Sequence, residues 1–200
     1  YGGASILVST VEGLTGIKVH HFVEVGMAGV ENMVDAVGGV NVCLDYDVDD
    51  KDSGLVWDTS KGTCQDVDGK TALAYSRMRK SDPTGDIGRA KRQRAVISAV
   101  VAKAATPSTL VSFSRQDAII DAATGSLTVD SDTGTGDLVQ MMAAFHKASS
   151  NGLTGAPPIS SLDYEPGSIG SAVLLQDTTA PDFFAKVKNG SLTTSDFNQG

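Results

Sequence analysis

The positive charge of this sequence is concentrated in one short stretch. Residues 75–94 contain seven of the sixteen Lys and Arg residues, although the whole chain carries a formal net charge of −8. Such a cluster could be a solvated helix face, a nucleic-acid patch or a pocket for a compact, multiply charged anion. Nucleic-acid binding needs a broad basic surface, and the rest of this chain is acidic. The composition therefore argues against a nucleic-acid partner.

The spacing of the arginines within this stretch predicts a pocket for phosphate groups. Residues 76–79 have the pattern of an extended segment, in which Arg77 and Arg79 point to one side and Met78 to the other. Two arginines on one face repel each other unless an anion lies between them. Guanidinium groups bind phosphate oxygens in a bidentate manner, so a diphosphate is the predicted ligand.

A long helix is predicted to begin after the turn at residues 81–86 and to end before Pro107. Asp86 can cap its free N–H groups. On a helical wheel, Gln93 falls in the middle of the apolar stripe and Arg89 borders it, and a buried Gln needs a polar partner. Both lie in the first two turns, where unpaired N–H groups and the helix dipole favour an anion.

The extended segment, the turn and the start of the helix can together surround one cavity with four side chains: Arg77, Arg79, Arg89 and Gln93. The other basic residues of the stretch are predicted to be ordinary surface charges: Lys80, Lys91, Arg92 and Arg94. The residues alone leave open whether the cluster is a functional pocket or a solvated face.

Helical and strand-like segments alternate along the chain, which predicts an α/β fold with helices on both faces of a sheet. A length of 200 residues and a hydrophobic content of 40% suit one domain with a buried core. No apolar run approaches the ~18 residues of a membrane span. Because the chain starts without an initiator Met and runs straight into a helical pattern, we expect it to be a piece of a longer protein.

Cys43 and Cys64 flank a polar segment, Asp45 to Gly62. Two separate buried thiols are one interpretation. A disulfide that closes the intervening loop is the favoured interpretation. In the chain-entropy model, such a bond stabilises the folded state by roughly 3 kcal/mol for a loop of about this length. Disulfides persist in oxidising compartments, so the bond would place the protein outside the cytoplasm.

The same polar segment is rich in aspartates at residues 45–52. A calcium loop of the EF-hand type needs Gly at its sixth position and Glu at its twelfth, where this sequence has Asp50 and Val56. We therefore interpret the segment as a solvated acidic loop, and we predict no metal ligands in it.

Several short motifs resemble those of the LytR-CpsA-Psr family. Residues 75–79 (YSRMR), 85–89 (GDIGR) and 92–93 (RQ) match the family's Tyr-x-Arg-x-Arg, Asp-x-x-Arg and Arg-Gln elements in order and spacing. Residues 34–44 (VDAVGGVNVCL) and 68–79 (DGKTALAYSRMR) are similar to two further family segments. The match is strong to about residue 101 and weaker beyond.

The resemblance implies an extracytoplasmic, membrane-anchored phosphotransferase. Members move a glycopolymer from a polyprenyl-pyrophosphate carrier to a peptidoglycan hydroxyl, or in some relatives to a surface protein, and leave a phosphodiester. Residue by residue, the resemblance assigns pyrophosphate binding to Arg77, Arg79, Arg89 and Gln93. It assigns a catalytic role to Asp86, which would orient an arginine, and to Arg89.

The resemblance also carries expectations about the rest of the protein. The family's N-terminal Arg-Ser-Asp and Pro-Arg-Asp elements, which carry acidic ligands of Mg²⁺, have no counterpart here. We therefore expect a Mg²⁺ cofactor whose ligands lie outside these residues, and a membrane anchor that also lies outside them. Residues 1–200 would be a LytR-CpsA-Psr-like domain without its N-terminal strands, a three-layer sandwich with a central mixed β-sheet flanked by helices.

Two other functions fit the same residues. One is a pyrophosphatase that acts on polyprenyl carriers, in which water replaces the sugar acceptor. The other is a non-catalytic module that binds polyprenyl phosphates, because such a module could keep the arginines and dispense with the acidic metal site.

Overall fold

The computed structural model describes residues 3–168, 170 and 172–197. The chain combines helices and strands, which confirms the α/β class predicted from the sequence, although the two do not alternate strictly, because residues 40–67 hold four strands and residues 69–126 hold four helices. In chain order they are α1 (Gly3–Thr15), β1 (Val23–Val25), α2 (Met27–Ala36), β2 (Val40–Cys43), β3 (Val48–Asp50), β4 (Leu55–Trp57), β5 (Cys64–Val67), α3 (Gly69–Arg77), α4 (Asp86–Ala104), α5 (Pro107–Leu110), α6 (Phe113–Ser126), β6 (Leu127–Val129), α7 (Thr135–Ser150), β7 (Ile159–Tyr164), β8 (Ala172–Leu175) and α8 (Ala180–Asn189). Among the described residues, no helix combines the length and the apolar character that crossing a bilayer requires.

The chain forms two compact units. One unit is Val23–His146, which contains the whole basic stretch. The other consists of the described residues before and after that range, and in it β7 pairs with β8 while Phe183 of α8 contacts the ring of Phe197.

The described strands form antiparallel pairs rather than one central mixed sheet. The pairs are β1 with β6, β2 with β5, β3 with β4, and β7 with β8. Each strand is only three to six residues long and has one partner within the described part of the chain. The expected central sheet is therefore replaced there by separate two-stranded ribbons.

The core of the larger unit lies where α2, α3 and α4 meet β2 and the β3–β4 hairpin. Strand β2 alternates buried and exposed residues, so one of its faces packs into this core. The side chains that these elements bury together include Val34, Val40, Val42, Leu55, Trp57, Ala72, Tyr75, Met78 and Val96.

One close helix contact depends on a glycine. A Cβ on Gly69 would lie 2.3 Å from the carbonyl oxygen of Glu31, so only Gly lets the first turn of α3 meet α2. Its N–H donates to Oδ1 of Asp35 at 2.7 Å. Asp68 caps α3 by accepting a hydrogen bond from the N–H of Thr71.

The polar segment between the cysteines is more ordered than a solvated loop. It folds as the β3–β4 hairpin, in which Val48, Asp50, Leu55 and Trp57 are buried and the residues between them in each strand are exposed. The indole N–H of Trp57 donates to the carbonyl oxygen of Leu44 at 3.2 Å. The prediction of a solvated acidic loop was therefore wrong for one face of this segment.

The predicted bond between Cys43 and Cys64 is present, and the two cysteines face each other across the β2–β5 pair. Both residues are exposed, so a reductant can reach the bond. The hydroxyl of Tyr75 donates to the carbonyl oxygen of Cys43 at 2.9 Å, which ties this ribbon to α3.

We expect that reducing the disulfide lowers the free energy of unfolding by about 3 kcal/mol, because the open chain regains the entropy of a loop whose ends are 21 residues apart. Urea unfolding with and without reductant measures the change. The double substitution of Cys43→Ser and Cys64→Ser should reproduce the reduced protein without reductant. Equal urea midpoints for the oxidised and reduced forms would contradict this expectation.

Candidate anion-binding site

A cavity of about 330 Å³ lies in the larger unit and is lined by all four predicted pyrophosphate-binding side chains: Arg77, Arg79, Arg89 and Gln93. Lys80, Asp50 and Asp52 also line it. Its size is within the usual range for a small-molecule site, and its basic lining suits an anion. The structure thus brings together the residues that the sequence pattern grouped.

Arg77 and Arg79 reach the cavity from the end of a helix and not from a strand. Arg77 is the last residue of α3, and only then does the backbone become extended, with Met78 at φ −53° and ψ 131°. Met78 is fully buried, whereas the residues on either side of it are exposed. The predicted strand at residues 76–79 was wrong, because helix α3 includes Ser76 and Arg77 and ends there. The buried Met78 still separates two outward-facing arginines.

The side chain of Arg77 has no hydrogen bond or ion pair with any other residue in the described part of the chain. Its five N–H donors are therefore available to a ligand. An exposed guanidinium that lines a cavity with other cations is a natural contact for phosphate oxygens.

Asp86 holds the other two arginines together. Its Oδ2 lies 3.0 Å from Nη2 of Arg79, and its Oδ1 lies 2.7 Å from Nη2 of Arg89. The carboxylate is 46% exposed, and exposed ion pairs contribute little to stability, so its main effect is to orient the two guanidinium groups. Asp86 is the first residue of α4 and Gly85 is the N-cap, so the predicted capping role of Asp86 was wrong.

Gln93 lies at the surface of the cavity. It is exposed, whereas the helical wheel placed it at the centre of the buried stripe. The buried face of α4 runs instead through Gly88, Arg92 and Val96. The prediction of its environment was wrong, while the expectation that its amide faces the site agrees with the structure.

Arg92 is buried, although the sequence pattern predicted a surface charge. It is 4% exposed, and its Nε donates to the carbonyl oxygen of Tyr75 at 2.9 Å. Its Nη2 donates to the carbonyl oxygen of Met78, and its Nη1 pairs with Oδ2 of Asp82. Arg92 therefore fixes the backbone that carries Arg77 and Arg79, and it acts on the site through them.

The turn at residues 81–85 packs against α4 at a glycine. A Cβ on Gly88 would lie 1.9 Å from Oδ2 of Asp82, so a larger residue would displace the carboxylate that pairs with Arg92. Oδ1 of Asp82 accepts hydrogen bonds from the N–H and the hydroxyl of Thr84, both at 2.6 Å.

Arg94 also differs from the surface charge that the sequence predicted. It is half-buried, and burial lowers its pKa.

Asp50 is a site residue that the sequence analysis missed. It is 4% exposed and lines the cavity from the inward face of β3. The available signal was indirect: Leu55 and Trp57 stand two positions apart in the same segment, and this spacing of apolar residues marks a strand with one buried face. The interpretation of residues 45–52 as one solvated acidic loop left this buried face unrecognised.

The Asp50 carboxylate is held at one oxygen. Its Oδ1 accepts hydrogen bonds from the N–H groups of Asp52 at 2.9 Å and Ser53 at 3.2 Å. Burial acts to raise its pKa, but these N–H groups and the nearby Ser81 outweigh burial and hold the pKa below its usual value. The hydroxyl and the N–H of Ser81 also act as hydrogen-bond donors on this carboxylate, although at the inaccessible Oδ2 no donor among the described residues reaches ordinary hydrogen-bond geometry.

The described residues do not supply a metal site by themselves. No group of three or more His, Cys, Asp or Glu side chains gathers among them in a way that could hold a metal ion. Asp50 and Asp52 both line the cavity, but Asp52 is paired with Lys80 at 2.8 Å.

A second cavity, of about 320 Å³, lies in the other unit and includes Lys186 and Asp196 in its lining. Nζ of Lys186 lies 2.6 Å from Asp196 and 3.7 Å from Asp182. The hydrogen bond from Lys186, with those from Thr193, lowers the pKa of Asp196 to about 2. Because Lys186 is already paired, the arginine-lined cavity is the better candidate for binding an anion.

Comparisons with known proteins identify relatives of this chain. The model of the LytR_cpsA_psr family matches residues 1–156. The chain is 40% identical over 170 residues to the probable cell wall biosynthesis protein LcpB of Corynebacterium glutamicum, an alignment that covers 84% of this chain and 39% of that protein. It is 41% identical over 113 residues to the polyisoprenyl-teichoic acid–peptidoglycan teichoic acid transferase TagU of Bacillus cereus, covering 56% of this chain and 36% of that protein. The chain thus spans less than half the length of these relatives.

Solved structures share the fold. A Streptococcus agalactiae protein, gbs0355, superposes with a TM-score of 0.68 at 26% identity and covers 100% of this chain and 64% of its own. TagV of B. subtilis gives a TM-score of 0.71 at 24% identity, covering 96% of this chain and 71% of its own. TagT bound to LIIa-WTA gives 0.65 at 22% identity, covering 94% and 68%. At these identities the last two support the fold alone.

Proposed function

Because the chain belongs to the LytR-CpsA-Psr family, we propose that the whole protein is a glycopolymer–peptidoglycan phosphotransferase. It transfers a glycopolymer from a polyprenyl-pyrophosphate carrier to a hydroxyl of peptidoglycan, or of a cell-surface protein, and forms a phosphodiester. The observation that carries the proposal is the cavity in which Arg77, Arg79, Arg89 and Gln93 converge. The relative named as a teichoic acid transferase supports the same class of reaction.

The geometry suits phosphoryl transfer, in which the protein positions the phosphates and offsets the negative charge of the leaving group. Arg77 is unpaired and can bind phosphate oxygens directly. Arg79 and Arg89 each offer the N–H donors that their pairing with Asp86 leaves free. Asp86 thus pre-orients two of the three guanidinium groups, while the neutral amide of Gln93 adds a donor without further charge.

We also propose that Mg²⁺ accompanies the pyrophosphate, as the family membership suggests. The residues described do not fit a complete magnesium site, and no step is assigned to the ion. A location outside the cytoplasm, with membrane anchoring in the full-length protein, is part of the same proposal. It is supported by the Cys43–Cys64 bond, since disulfides persist in oxidising compartments.

The experiment that tests this function uses the full-length protein, a short-chain polyprenyl-pyrophosphate-linked sugar as donor and a soluble peptidoglycan fragment as acceptor. We expect mass spectrometry to detect a phosphodiester-linked product together with polyprenyl monophosphate. Release of a free sugar phosphate would instead indicate the pyrophosphatase. Binding of the donor without turnover would indicate the non-catalytic module, and either result would overturn the proposal.

A further inference from the structure

Lys80 and Asp52 form a second cation–carboxylate pair at the arginine cavity. Both residues line the cavity, and Nζ of Lys80 lies 2.8 Å from Oδ2 of Asp52. The sequence pattern predicted Lys80 to be an ordinary surface charge, as it did Lys91. Lys91 does not line the cavity, whereas Lys80 does, so the position of Lys80 calls for another explanation.

The buried carboxylate of Asp50 fixes the backbone on both sides of this pair. Its Oδ1 accepts hydrogen bonds from the N–H of Asp52 at 2.9 Å and from the N–H of Ser53 at 3.2 Å. The hydroxyl and the N–H of Ser81, which follows Lys80, also act as donors on this carboxylate. Asp50 thus joins the β3–β4 turn to the segment after Arg79, and this junction brings Lys80 and Asp52 side by side.

The pair itself is easily broken. The side chains of Lys80 and Asp52 are 75% and 64% exposed, and exposed ion pairs contribute little to stability. The hydrogen bond to Asp52 raises the pKa of Lys80 above its ordinary value, so the ammonium group stays charged. Lys80 is therefore a cation that is kept at the cavity without being bound tightly to its partner.

The chemistry of the two side chains favours an exchange of partners. A lysine ammonium is a compact charge with three donors on a flexible stem, so it can turn from Asp52 to another anion nearby. The arginines Arg79 and Arg89 differ, because Asp86 pairs with both and orients them. Phosphate oxygens bound beside these arginines would offer Lys80 stronger acceptors than an exposed carboxylate.

We propose that Lys80 is a fourth cationic contact for the pyrophosphate, held at the cavity by Asp52 and passed to a phosphate oxygen when the donor substrate binds. This rests on the function proposed above. No covalent bond changes in this step, because the ammonium group exchanges a carboxylate acceptor for a phosphate acceptor. Asp52 is then a positioning residue, and it competes with the ligand for Lys80.

The test removes Lys80 from full-length protein that already carries Asp52→Asn. Lys80→Ala alone would leave the Asp52 carboxylate unpaired beside the phosphates, and repulsion by that charge would weaken binding by itself. Asn at position 52 removes the charge and keeps the backbone N–H that Asp50 binds. Lys91→Ala in the same background is the matched control for the loss of one positive charge, since Lys91 is exposed and lies outside the cavity lining.

Calorimetric titration with a short-chain polyprenyl pyrophosphate, at moderate salt and without Mg²⁺, measures the affinity. In the Asp52→Asn background, we expect Lys80→Ala to weaken binding about tenfold, a typical effect of losing one charge-assisted hydrogen bond. Lys80→Arg should retain most of the affinity, because Arg also donates to phosphate. Lys91→Ala should leave the affinity unchanged, and thermal unfolding of each variant checks that the fold is intact.

The role of Asp52 has its own signature. Asp52→Asn by itself should raise the affinity about twofold to fivefold, the equivalent of one exposed ion pair, because Lys80 no longer has to leave a competing carboxylate. Asp49→Asn is the control, since Asp49 is exposed on the opposite face of β3, and it should leave the affinity unchanged.

Three outcomes would overturn the role of Lys80. One is an unchanged affinity on removing Lys80 in the Asp52→Asn background, which would mean that Lys80 only neutralises Asp52. A second is an equal loss for Lys80→Ala and Lys91→Ala, which would mean a diffuse basic surface. A third is a loss of affinity in Asp52→Asn that occurs only when Mg²⁺ is added, which would make Asp52 a cation ligand. Because these titrations measure binding alone, a protein that binds through Lys80 but transfers nothing would overturn the transferase function and leave this contact standing.

Discussion

Replacing Arg92 by Ala is expected to lower the free energy of unfolding by about 3–5 kcal/mol, because it leaves the buried carboxylate of Asp82 without its charged partner. Both side chains of the pair are almost fully buried, at 5% and 6% exposure. The substitution also removes the donors to the carbonyl oxygens of Tyr75 and Met78. For a chain of this length the loss corresponds to a drop in melting temperature of roughly 6–20 °C.

Lys91→Ala is the matched control, since Lys91 is the preceding residue of α4 and is exposed. It should change the melting temperature very little. Adding Asp82→Ala to Arg92→Ala should recover part of the loss, because no charge is then left buried without a partner. If Arg92→Ala and Lys91→Ala had equal effects in calorimetry, Arg92 would not be the anchor that its contacts indicate.

The ion pair between Arg92 and Asp82 also predicts that the protein becomes less stable in acid. Burial acts to raise the pKa of Asp82, but hydrogen bonds from Thr84 and Arg92 outweigh it and hold the pKa below its usual value. Such a carboxyl stabilises the folded state above its unfolded pKa, near 3.9, and this stabilisation is lost as the pH falls through the folded pKa. We expect the wild-type melting temperature to fall as the pH drops below about 4, and to fall less steeply in the variant with both Arg92→Ala and Asp82→Ala.

The second large effect concerns ligand binding. Replacing Arg77, Arg79 or Arg89 by Ala should weaken binding of a short-chain polyprenyl pyrophosphate by about tenfold to a hundredfold, because each charge-assisted hydrogen bond contributes about 1.5–3 kcal/mol. Arg89→Lys should restore little, since it keeps the charge but loses the bidentate geometry. Calorimetric titration of the full-length protein at moderate salt measures the affinity while screening remote charges.

Lys91→Ala again provides the control, because it removes one positive charge from the same helix as Arg89 without touching the cavity lining. Its affinity should equal that of the wild type. Equal losses at Lys91 and Arg89 would mean that a diffuse basic surface attracts the ligand, and the pocket interpretation would fail. Arg94 does not serve as a control, because the structure shows it half-buried.

The burial of Arg92 and the position of Asp50 at the cavity follow only from the tertiary structure. The sequence pattern predicted Arg92 to be a surface charge because a helical wheel treats α4 in isolation. Its burial depends on the carbonyl groups of Tyr75 and Met78 and on Asp82, which the turn before α4 brings over the helix. Asp50 comes from a hairpin more than twenty residues before the arginines, and only the packing of β3 places its side chain at the cavity.

The sequence by itself determined the grouping of Arg77, Arg79, Arg89 and Gln93 and favoured the pairing of the cysteines. These features depend on short-range spacing around one turn and one loop, which residue types and periodicity report directly. Tertiary structure alone decided which face of α4 is buried, how the strands pair, and that an aspartate shares the arginine cavity. Those outcomes depend on contacts between residues distant in the chain, where the free energy of burial and of satisfied hydrogen bonds outweighs local pattern.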